Sequence, residues 1–538
     1  IRRPPRSTPL YSSAASDVYK RQQSGRPQRS VFDLGHERKF SMNMGALIPI
    51  LCEEVVPGDT FKMNTEVLLR MAPLVAPVMH RVNVYTHFFF VPNRLIWSEW
   101  EDKITGGEDG LKNPVLPYIQ LKDSNTDYFK SGSLADYLGC ASNDNGNYSL
   151  DNKVNALPFR AYAQIWNDYY RDQNLQAKIA ISKASGEDTS DILIKRVRNW
   201  EKDYFTSSLP WTQRGGDVSV PLTGEAIVKL DIGLGDRSQS VFNSDGSVNA
   251  SVKGLYAEGG TGKFINGDYQ NQLIDPNDTL YADLSEGAGA PINELRRATR
   301  LQQWLEKNAR GGARYIEQML VHFGVRSSDA RLQRPEYLGG GKSPVVISEV
   351  LQTAATDETS PQGNMAGHGI SVGNSHGFKK FFEEHGFVIG IISVLPRTSY
   401  QQGTRRIFRK FDKFDYYFPS FANLGEQEVF RTELYNTYNE SSENYNKVFG
   451  YQSRYAEYKY IPSSVHGDFR IEDNGLDKWH MGRTFAAAPN LNGTFVSSID
   501  VPQRNFAITD PAVPKLYVQV YNDLTAMRPL PFFSEPTL

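Results

Sequence analysis

The chain has 538 residues, of which 59 are lysine or arginine and 61 are aspartate or glutamate, so its formal net charge is −2. This balance excludes a protein that coats nucleic acid with cationic charge along its whole length. Only Cys52 and Cys140 occur, which excludes a disulfide framework and a multi-cysteine metal site. Aromatic residues make up 12% of the chain, beside 44 glycines and 29 prolines, and this composition predicts a turn-rich, mainly β protein.

The first 22 residues differ from the rest of the chain. They show no apolar periodicity, and the first methionine is Met42. This stretch resembles translated sequencing-adapter sequence, so we exclude residues 1–22 from fold prediction and expect native sequence to resume near Gln23. The alternative is a genuine basic arm that binds DNA through its lysine and arginine side chains, which are Arg2, Arg3, Arg6, Lys20 and Arg21.

Strands are predicted at widely separated places. Residues 82–91 alternate apolar side chains on both faces, which predicts a strand that is covered on both sides. Residues 387–395 form a continuous apolar run that Pro396 ends, which is typical of a central buried strand. Two further strands are predicted near the C-terminus, at 494–501 and 515–521. Long insertions between strands favour a jelly roll over a compact meander.

Two helical regions are predicted. Aromatic residues recur at helical spacing within residues 159–173, and we interpret this stripe as core packing, with a stacking platform for bases as the alternative. Residues 294–323 show a second helical pattern, which Gly311 and Gly312 interrupt.

Residues 217–292 are rich in Gly, Asn, Asp and Ser and contain few large apolar residues. Such composition predicts a surface excursion rather than core, and the alternative is a loop without function. We therefore expect one β domain formed by residues 23–216 and 293–538, interrupted by this insertion.

The sequence contains no pattern that indicates an enzyme. The phosphate-loop-like stretches at 259–264 and 339–343 both lack the first glycine of the motif, and the nine histidines form no metal-ligand set. A GxSxG elbow is also missing. No cofactor is predicted. The longest strongly apolar run, residues 387–395, is too short to cross a bilayer, so no membrane insertion is expected.

The strongest chemical signal is a basic and aromatic patch at residues 403–413. Five cations face one carboxylate there, which gives a local charge of +4, and phenylalanines interleave with the cations. Cations for phosphates beside rings for bases are typical of single-strand binding, while an exposed strand edge or an inter-subunit salt-bridge belt is equally consistent. The candidate residues are Arg405, Arg406, Arg409, Lys410, Lys413, Phe408 and Phe411. A secondary candidate combines Arg196 and Arg198 with Trp200, for which the alternative is an exposed helix face.

Several long aromatic and arginine-rich segments, taken in order, resemble the major capsid protein family of the microviruses, the small icosahedral single-stranded DNA phages. The gokushovirus branch is the most similar. The resemblance runs from about residue 30 to the C-terminus, with its main interruption around 217–292. The segments that carry it are THFFFVPNRLIW (86–97), LPFRAYAQIWNDYYRDQNL (157–175), DYFTSSLPWTQRGGDV (203–218), LQRPEYLGGG (332–341) and TSYQQGTRRIFRKFDKFDYYFPSFANLGEQE (398–428).

This resemblance implies a single eight-stranded antiparallel jelly-roll barrel with long loop insertions and a few helices. It implies a structural protein, not an enzyme, that forms an icosahedral homo-oligomer of about 60 copies around circular single-stranded DNA. Residues 217–292 would form a threefold protrusion that contacts a host surface receptor. The expected partners are a small basic DNA-binding protein of the virion and a scaffolding protein. The expected location is the virion, after assembly in the bacterial host cytoplasm.

Two other functions are consistent with parts of the sequence. A carbohydrate-binding or carbohydrate-cleaving jelly-roll protein would use the aromatic segments on sugars, but such proteins are usually secreted and no secretory signal is visible. A single-strand DNA-binding protein would require basic charge over the whole chain, and the net charge of −2 does not supply it.

Overall fold

The computed structural model describes residues 28–121, 127–140, 153–188, 190–218, 227–230, 242–243, 272–273, 280–283, 292–351, 365–436, 446–471 and 475–533. The predicted adapter-derived segment 1–22, the phosphate-loop-like stretch at 259–264 and most of the insertion at 217–292 lie outside these ranges. By its internal contacts the chain divides into two compact units. One consists of residues 1–212 and 310–538, and the other of residues 213–309.

The larger unit is built around long strands. The strands of the chain are β1 (Ser30–Asp33), β2 (His36–Met42), β3 (Ile48–Val55), β4 (Thr60–Met71), β5 (Val82–Pro92), β6 (Tyr118–Gln120), β7 (Lys153–Asn155), β8 (Ile227–Leu230), β9 (Phe242–Asn243), β10 (Gln272–Leu273), β11 (Leu280–Asp283), β12 (Glu336–Leu351), β13 (Met365–Phe381), β14 (Gly386–Pro396), β15 (Glu426–Phe430), β16 (Val448–Ser453) and β17 (Leu516–Arg528).

Within the described residues, helices are few and mostly short. The α-helices are α1 (Asn93–Ile96), α2 (Trp100–Thr105), α3 (Leu134–Leu138), α4 (Leu157–Ile165), α5 (Ile292–Gly311), α6 (Tyr315–Phe323) and α7 (Gly493–Val496), and a π-helical turn (Trp166–Tyr170) continues α4. Short 3-10 helices lie at Ser190–Leu193, Arg406–Arg409, Lys413–Asp415, Pro419–Phe421, Arg431–Glu433, Ala456–Tyr458, Gly467–Arg470, Leu476–Trp479 and Ser498–Asp500.

Nine strands form one antiparallel sheet in the order β1-β17-β4-β13-β12-β5-β14-β3, with β2 also paired to β17. Since β1 and β2 pair with opposite ends of β17, they occupy one position in the sheet, and the sheet has eight positions. The pairing of β12 with β13 joins two halves of four positions each. This arrangement confirms a mainly β, jelly-roll-like fold, while closure into an eight-stranded barrel stays a prediction.

The turns and burial patterns follow from the sequence. Strand β4 alternates buried and more exposed residues along its length, as a strand with one covered face does. It is joined to β3 by a tight turn, in which the Asp59 N–H donates to the carbonyl of Val56 at 3.1 Å. Gly58 has φ +94° in this turn, and the preceding Pro57 supplies the fixed φ that such a turn favours.

The two predicted central strands are confirmed. Strand β14 is buried at every position, and β5 is buried at all but one. Phe88 and Phe90 of β5 face one core cluster, while Phe89 faces a second cluster that α4 and its π-helical turn supply. The aromatic stripe of α4 therefore packs in the core, as predicted. Helices α5 and α6 also confirm the interrupted helical pattern at 294–323.

The prediction of a strand at 494–501 is wrong. Asn492 accepts a hydrogen bond from the Phe495 N–H at 2.9 Å, and this cap begins the short helix α7. The adjacent Phe495 and Val496 both pack into a third core cluster. A strand would point these two side chains to opposite faces, so the local packing favours a helix.

The glycine-rich stretch at 339–343 lies within β12, where it pairs with β5, and not in a loop before a helix. Among the described residues, no helix is long and apolar enough to cross a membrane.

Candidate nucleic-acid interface

The candidate interface lies in the long connection between β14 and β17, residues 397–515, at the end of the sheet where β14 ends. Tyr400 anchors the start of this connection: its N–H donates to the carbonyl of Ser463 at 2.9 Å, and its carbonyl accepts from the Val465 N–H at 3.0 Å. Tyr400 also belongs to a core cluster, together with Val429 and Phe449. The connection therefore has a small hydrophobic core of its own.

The structure turns three of the five predicted cations toward the protein. Arg406 forms an ion pair with Glu433 at 3.3 Å, and Lys410 forms one with Glu457 at 3.0 Å. The Lys410 and Glu457 side chains are only 5% and 8% exposed. Arg409 is buried and donates to Asn446 Oδ1 at 3.2 Å and to Thr432 Oγ1. These three cations hold the fold of the connection together.

The other predicted residues point outward. Arg405 and Lys413 are exposed, and the rings of Phe408 and Phe411 are 69% and 84% exposed. The surface of the patch therefore carries fewer cations than the sequence suggested, and aromatic rings make up more of it.

The secondary candidate residues lie in an irregular segment, so the alternative of an exposed helix face is wrong. Trp200 is 3% exposed and donates from Nε1 to Asp500 Oδ1 at 3.0 Å. The guanidinium of Arg198 lies 3.9 Å from the centre of the Tyr85 ring and donates to Ser393 Oγ at 3.0 Å. Arg196 lies over the ring of Trp166. All three side chains contact other parts of the same chain, and DNA binding by them stays a prediction.

A cleft that the sequence did not indicate lies beside the predicted patch. It has a volume of about 400 Å³ and includes no carboxylate among its lining residues. Arg81 and Arg397 supply positive charge, and Phe469 and Trp479 supply rings. A smaller pocket that contains Arg405, Arg406 and Arg470 shares residues 463–466 with the cleft. The cleft and the exposed Arg405 therefore lie next to each other, and we call them together the arginine cleft.

Three histidines, His80, His466 and His480, also line this cleft. His480 donates from Nε2 to the carbonyl of Phe469 at 2.7 Å, and its Nδ1 accepts from the Gly482 N–H at 3.0 Å. This pairing matches a neutral ring, and burial lowers the pKa of His480. Burial also lowers the pKa of His80, whose Nε2 donates to the carbonyl of Arg397 at 2.6 Å. At neutral pH the rings of His80 and His480 therefore carry no positive charge.

The cleft has the chemistry of a polyanion site. Guanidinium groups bind phosphate, and aromatic rings stack on bases without sequence preference. Ser399, one of the residues that line the cleft, has a buried Oγ without a hydrogen-bond partner within the described residues. The volume is in the range of small-ligand sites. The described residues contain no cluster of His, Cys, Asp and Glu that could hold a metal ion.

Sequence inspection missed the cleft because its arginines are about 300 positions apart. Strand pairing brings them together: Val82 at the start of β5 pairs with Pro396 at the end of β14. The Arg397 N–H then donates to the carbonyl of Arg81 at 2.9 Å. Only knowledge of the strand order could have predicted this contact.

The inward cations have a testable structural role. Replacing Lys410 with methionine leaves Glu457 buried without its ion-pair partner, so we expect Lys410→Met to lower the free energy of unfolding by about 3 kcal/mol. The exposed Lys413 provides a matched control, and Lys413→Met should change the free energy of unfolding by less than about 0.5 kcal/mol. Urea unfolding of the purified proteins measures both values. Equal stabilities for the two variants would contradict a structural role for Lys410.

Comparison with known proteins identifies the family of the chain. The family described as capsid protein (F protein) matches residues 21–538. The capsid protein VP1 of Chlamydia phage 1 is 38% identical, with 95% of this chain and 96% of that protein covered. VP1 of Bdellovibrio phage phiMH2K is 37% identical, with 94% and 95% covered, and VP1 of Spiroplasma virus 4 is 33% identical, with 95% of each covered.

These relatives are gokushovirus-type microvirus proteins, so the predicted resemblance is confirmed. The match supports a structural component of the phage virion over an enzyme or a carbohydrate-binding protein. The chain belongs to the capsid protein (F protein) family of the microviruses.

Proposed function

We propose that this capsid protein self-associates into a small icosahedral shell of about 60 copies that encloses circular single-stranded DNA. The observation that carries the proposal is the match to capsid proteins over nearly the whole chain. The fold supports it, because a rigid β core with long connections supplies many surfaces for contacts with neighbouring copies. Assembly would take place in the cytoplasm of the bacterial host.

The arginine cleft is our proposed contact with the genome. It combines Arg81, Arg397 and Arg405 with the rings of Phe469 and Trp479 and includes no carboxylate in its larger part. Lys413, Phe408 and Phe411 are the other residues predicted to bind DNA that the structure leaves exposed, and they do not line the cleft. Arg406, Arg409 and Lys410 would contribute indirectly, because their internal contacts hold this surface in place.

Further partners follow from the charge of the chain. A net charge of −2 per copy cannot neutralise a packaged polyanion, so most of the counter-charge must come from elsewhere. We propose a small basic DNA-binding protein as its source, and a scaffolding protein that assists shell formation. Mass spectrometry of purified particles and of their precursors tests both. Particles without a basic protein would contradict the first proposal, and precursors without a second protein would contradict the other.

The insertion at 217–292 is our proposed contact with a receptor on the bacterial host. Its polar, glycine-rich composition supports an outward position in the shell.

Electron microscopy of the chain expressed from Gln23 tests the shell. We expect uniform icosahedral particles with the insertion projecting from the outer surface. A monomer at all protein concentrations, with or without the other virion proteins, would contradict the proposal. Particles with the insertion on the inner surface would contradict its role in host contact.

The genome contact is tested by Arg81→Gln, Arg397→Gln and Arg405→Gln combined. We expect shells to form with several-fold less packaged DNA, because the variant lacks three cations that would contact phosphate. The control is a triple variant at exposed cations outside the cleft, Lys39→Gln, Lys178→Gln and Lys459→Gln. The ratio of absorbance at 260 nm to that at 280 nm gives the DNA content. Normal packaging in the cleft variant would exclude this site.

The receptor contact is tested by deletion of most of residues 217–292. We expect particles that assemble but no longer adsorb to host cells, because the remaining strands do not depend on this segment for their pairing. Counting free particles after incubation with cells measures adsorption. Insoluble protein would show that the segment belongs to the core, and normal adsorption would assign host contact to another surface.

A further inference from the structure

A row of large apolar side chains stands on the surface next to the arginine cleft. Their exposed fractions lie between 39% and 84%, although such residues are usually buried. We call this surface the aromatic ridge, and its members are Ile407, Phe408, Phe411, Phe414, Tyr416, Tyr417 and Phe418.

The ridge has an ordered backbone. Asp415 Oδ2 accepts the N–H groups of Phe411 and Asp412, each at 3.0 Å. Tyr455 contacts the carbonyls of Phe414 and Tyr416 through its hydroxyl, at 3.2 and 3.0 Å. The exposed rings are thus held outward by a fixed scaffold, and such preorganisation lowers the entropy lost on binding.

Ion pairs of the same segment also hold its backbone in place. Lys410 is paired with Glu457, and Arg406 contacts both Glu433 and, at 3.7 Å, Asp415. Within residues 407–418 the exposed charged residues are Asp412 and Lys413, whose charges cancel. A strand of DNA requires an excess of cations along its path, and the ridge does not supply one. Its apolar, charge-depleted composition is that of a protein interface core.

The size of the ridge also fits a protein partner. Seven large side chains, each about half exposed, present roughly 700 Å² if a full aromatic side chain contributes about 200 Å². A specific interface buries about 800 Å² on each partner. Exposed apolar patches of more than a few hundred Å² are rare on proteins that act alone.

We propose that the aromatic ridge docks onto a second copy of this chain and forms one of the subunit contacts of the shell. The occupant is a second copy because the chain belongs to a capsid protein family, whose members pack against one another. The proposal rests on the proposed self-association, and it separates two roles that the sequence had merged. The ridge binds protein, and the neighbouring arginine cleft binds DNA.

The test compares the parent chain with Phe408→Ser combined with Phe411→Ser. Both rings are mostly exposed, so the free energy of unfolding should change little. We expect the protein concentration at half-assembly, measured by analytical ultracentrifugation, to rise at least about tenfold, as it does on removal of anchor residues. Phe408→Tyr combined with Phe411→Tyr keeps the rings and should assemble as the parent does.

A second measurement identifies the partner. Phe411 is replaced with the photo-cross-linker p-benzoylphenylalanine, and the full chain is irradiated after assembly. We expect a covalent dimer whose cross-linked peptide comes from a second copy. Cross-links to DNA alone, or assembly of the serine variant at the parent's concentration, would overturn the proposal.

The two proposals fail in different ways. Shells that form without a cross-link through position 411 would support the proposed shell and exclude the ridge contact. Cross-linked dimers without shells would support the ridge contact and exclude the proposed shell.

Discussion

Burial of β5 and β14 on both faces is the constraint on which the rest of the structure depends. Phe88 and Val388 face one core cluster, and Phe89 and Ile389 face the other. Because successive residues of a strand point to opposite faces, each of these strands needs an apolar layer on both of its faces. The strands of the sheet supply one layer. The second layer comes from residues 95–193, in the first part of the connection between β5 and β12.

This covering layer explains why an aromatic helix lies in a mainly β protein. Tyr162 of α4 is fully buried and donates from its hydroxyl to the carbonyl of Leu47, at 2.9 Å. Phe89 lies 4.7 Å from Tyr169, centre to centre. Gly390 shows how closely the pair of strands is packed, because a Cβ there would lie 2.7 Å from the ring of Phe88. The aromatic segments that carry the family resemblance are therefore partly core segments, and their sequence is constrained by packing.

The fold was largely predictable because its central strands are continuous apolar runs, whose length and composition distinguish them from helices. The segment at 494–501 was not predictable in this way. Its β-branched residues favour a strand, but the cap at Asn492 and the packing of Phe495 beside Val496 decide for a helix. Tertiary contacts outweighed local preference there.

The candidate site was only partly predictable. Local density of arginine and phenylalanine identified residues 403–413, but not the direction of each side chain. That direction depends on acidic partners far along the chain: Glu433 is 27 positions from Arg406, and Glu457 is farther still from Lys410. A buried cation next to its carboxylate and an exposed cation next to solvent look the same in sequence. The ring exposure of Phe408 and Phe411 is the complementary result, since the cations occupy the inner positions.

Charge segregation gives these features a common physical basis. Many copies of a strongly cationic subunit would repel one another in a closed shell, whereas copies with a net charge of −2 can pack together. A subunit that must also contact a polyanion then has to concentrate its unpaired cations in one place and neutralise the others internally. The Lys410–Glu457 and Arg406–Glu433 pairs neutralise cations internally, and the arginine cleft concentrates cations in one place. The aromatic ridge beside the cleft carries little exposed charge, and so it suits contact with a neighbouring copy better than contact with a phosphate chain.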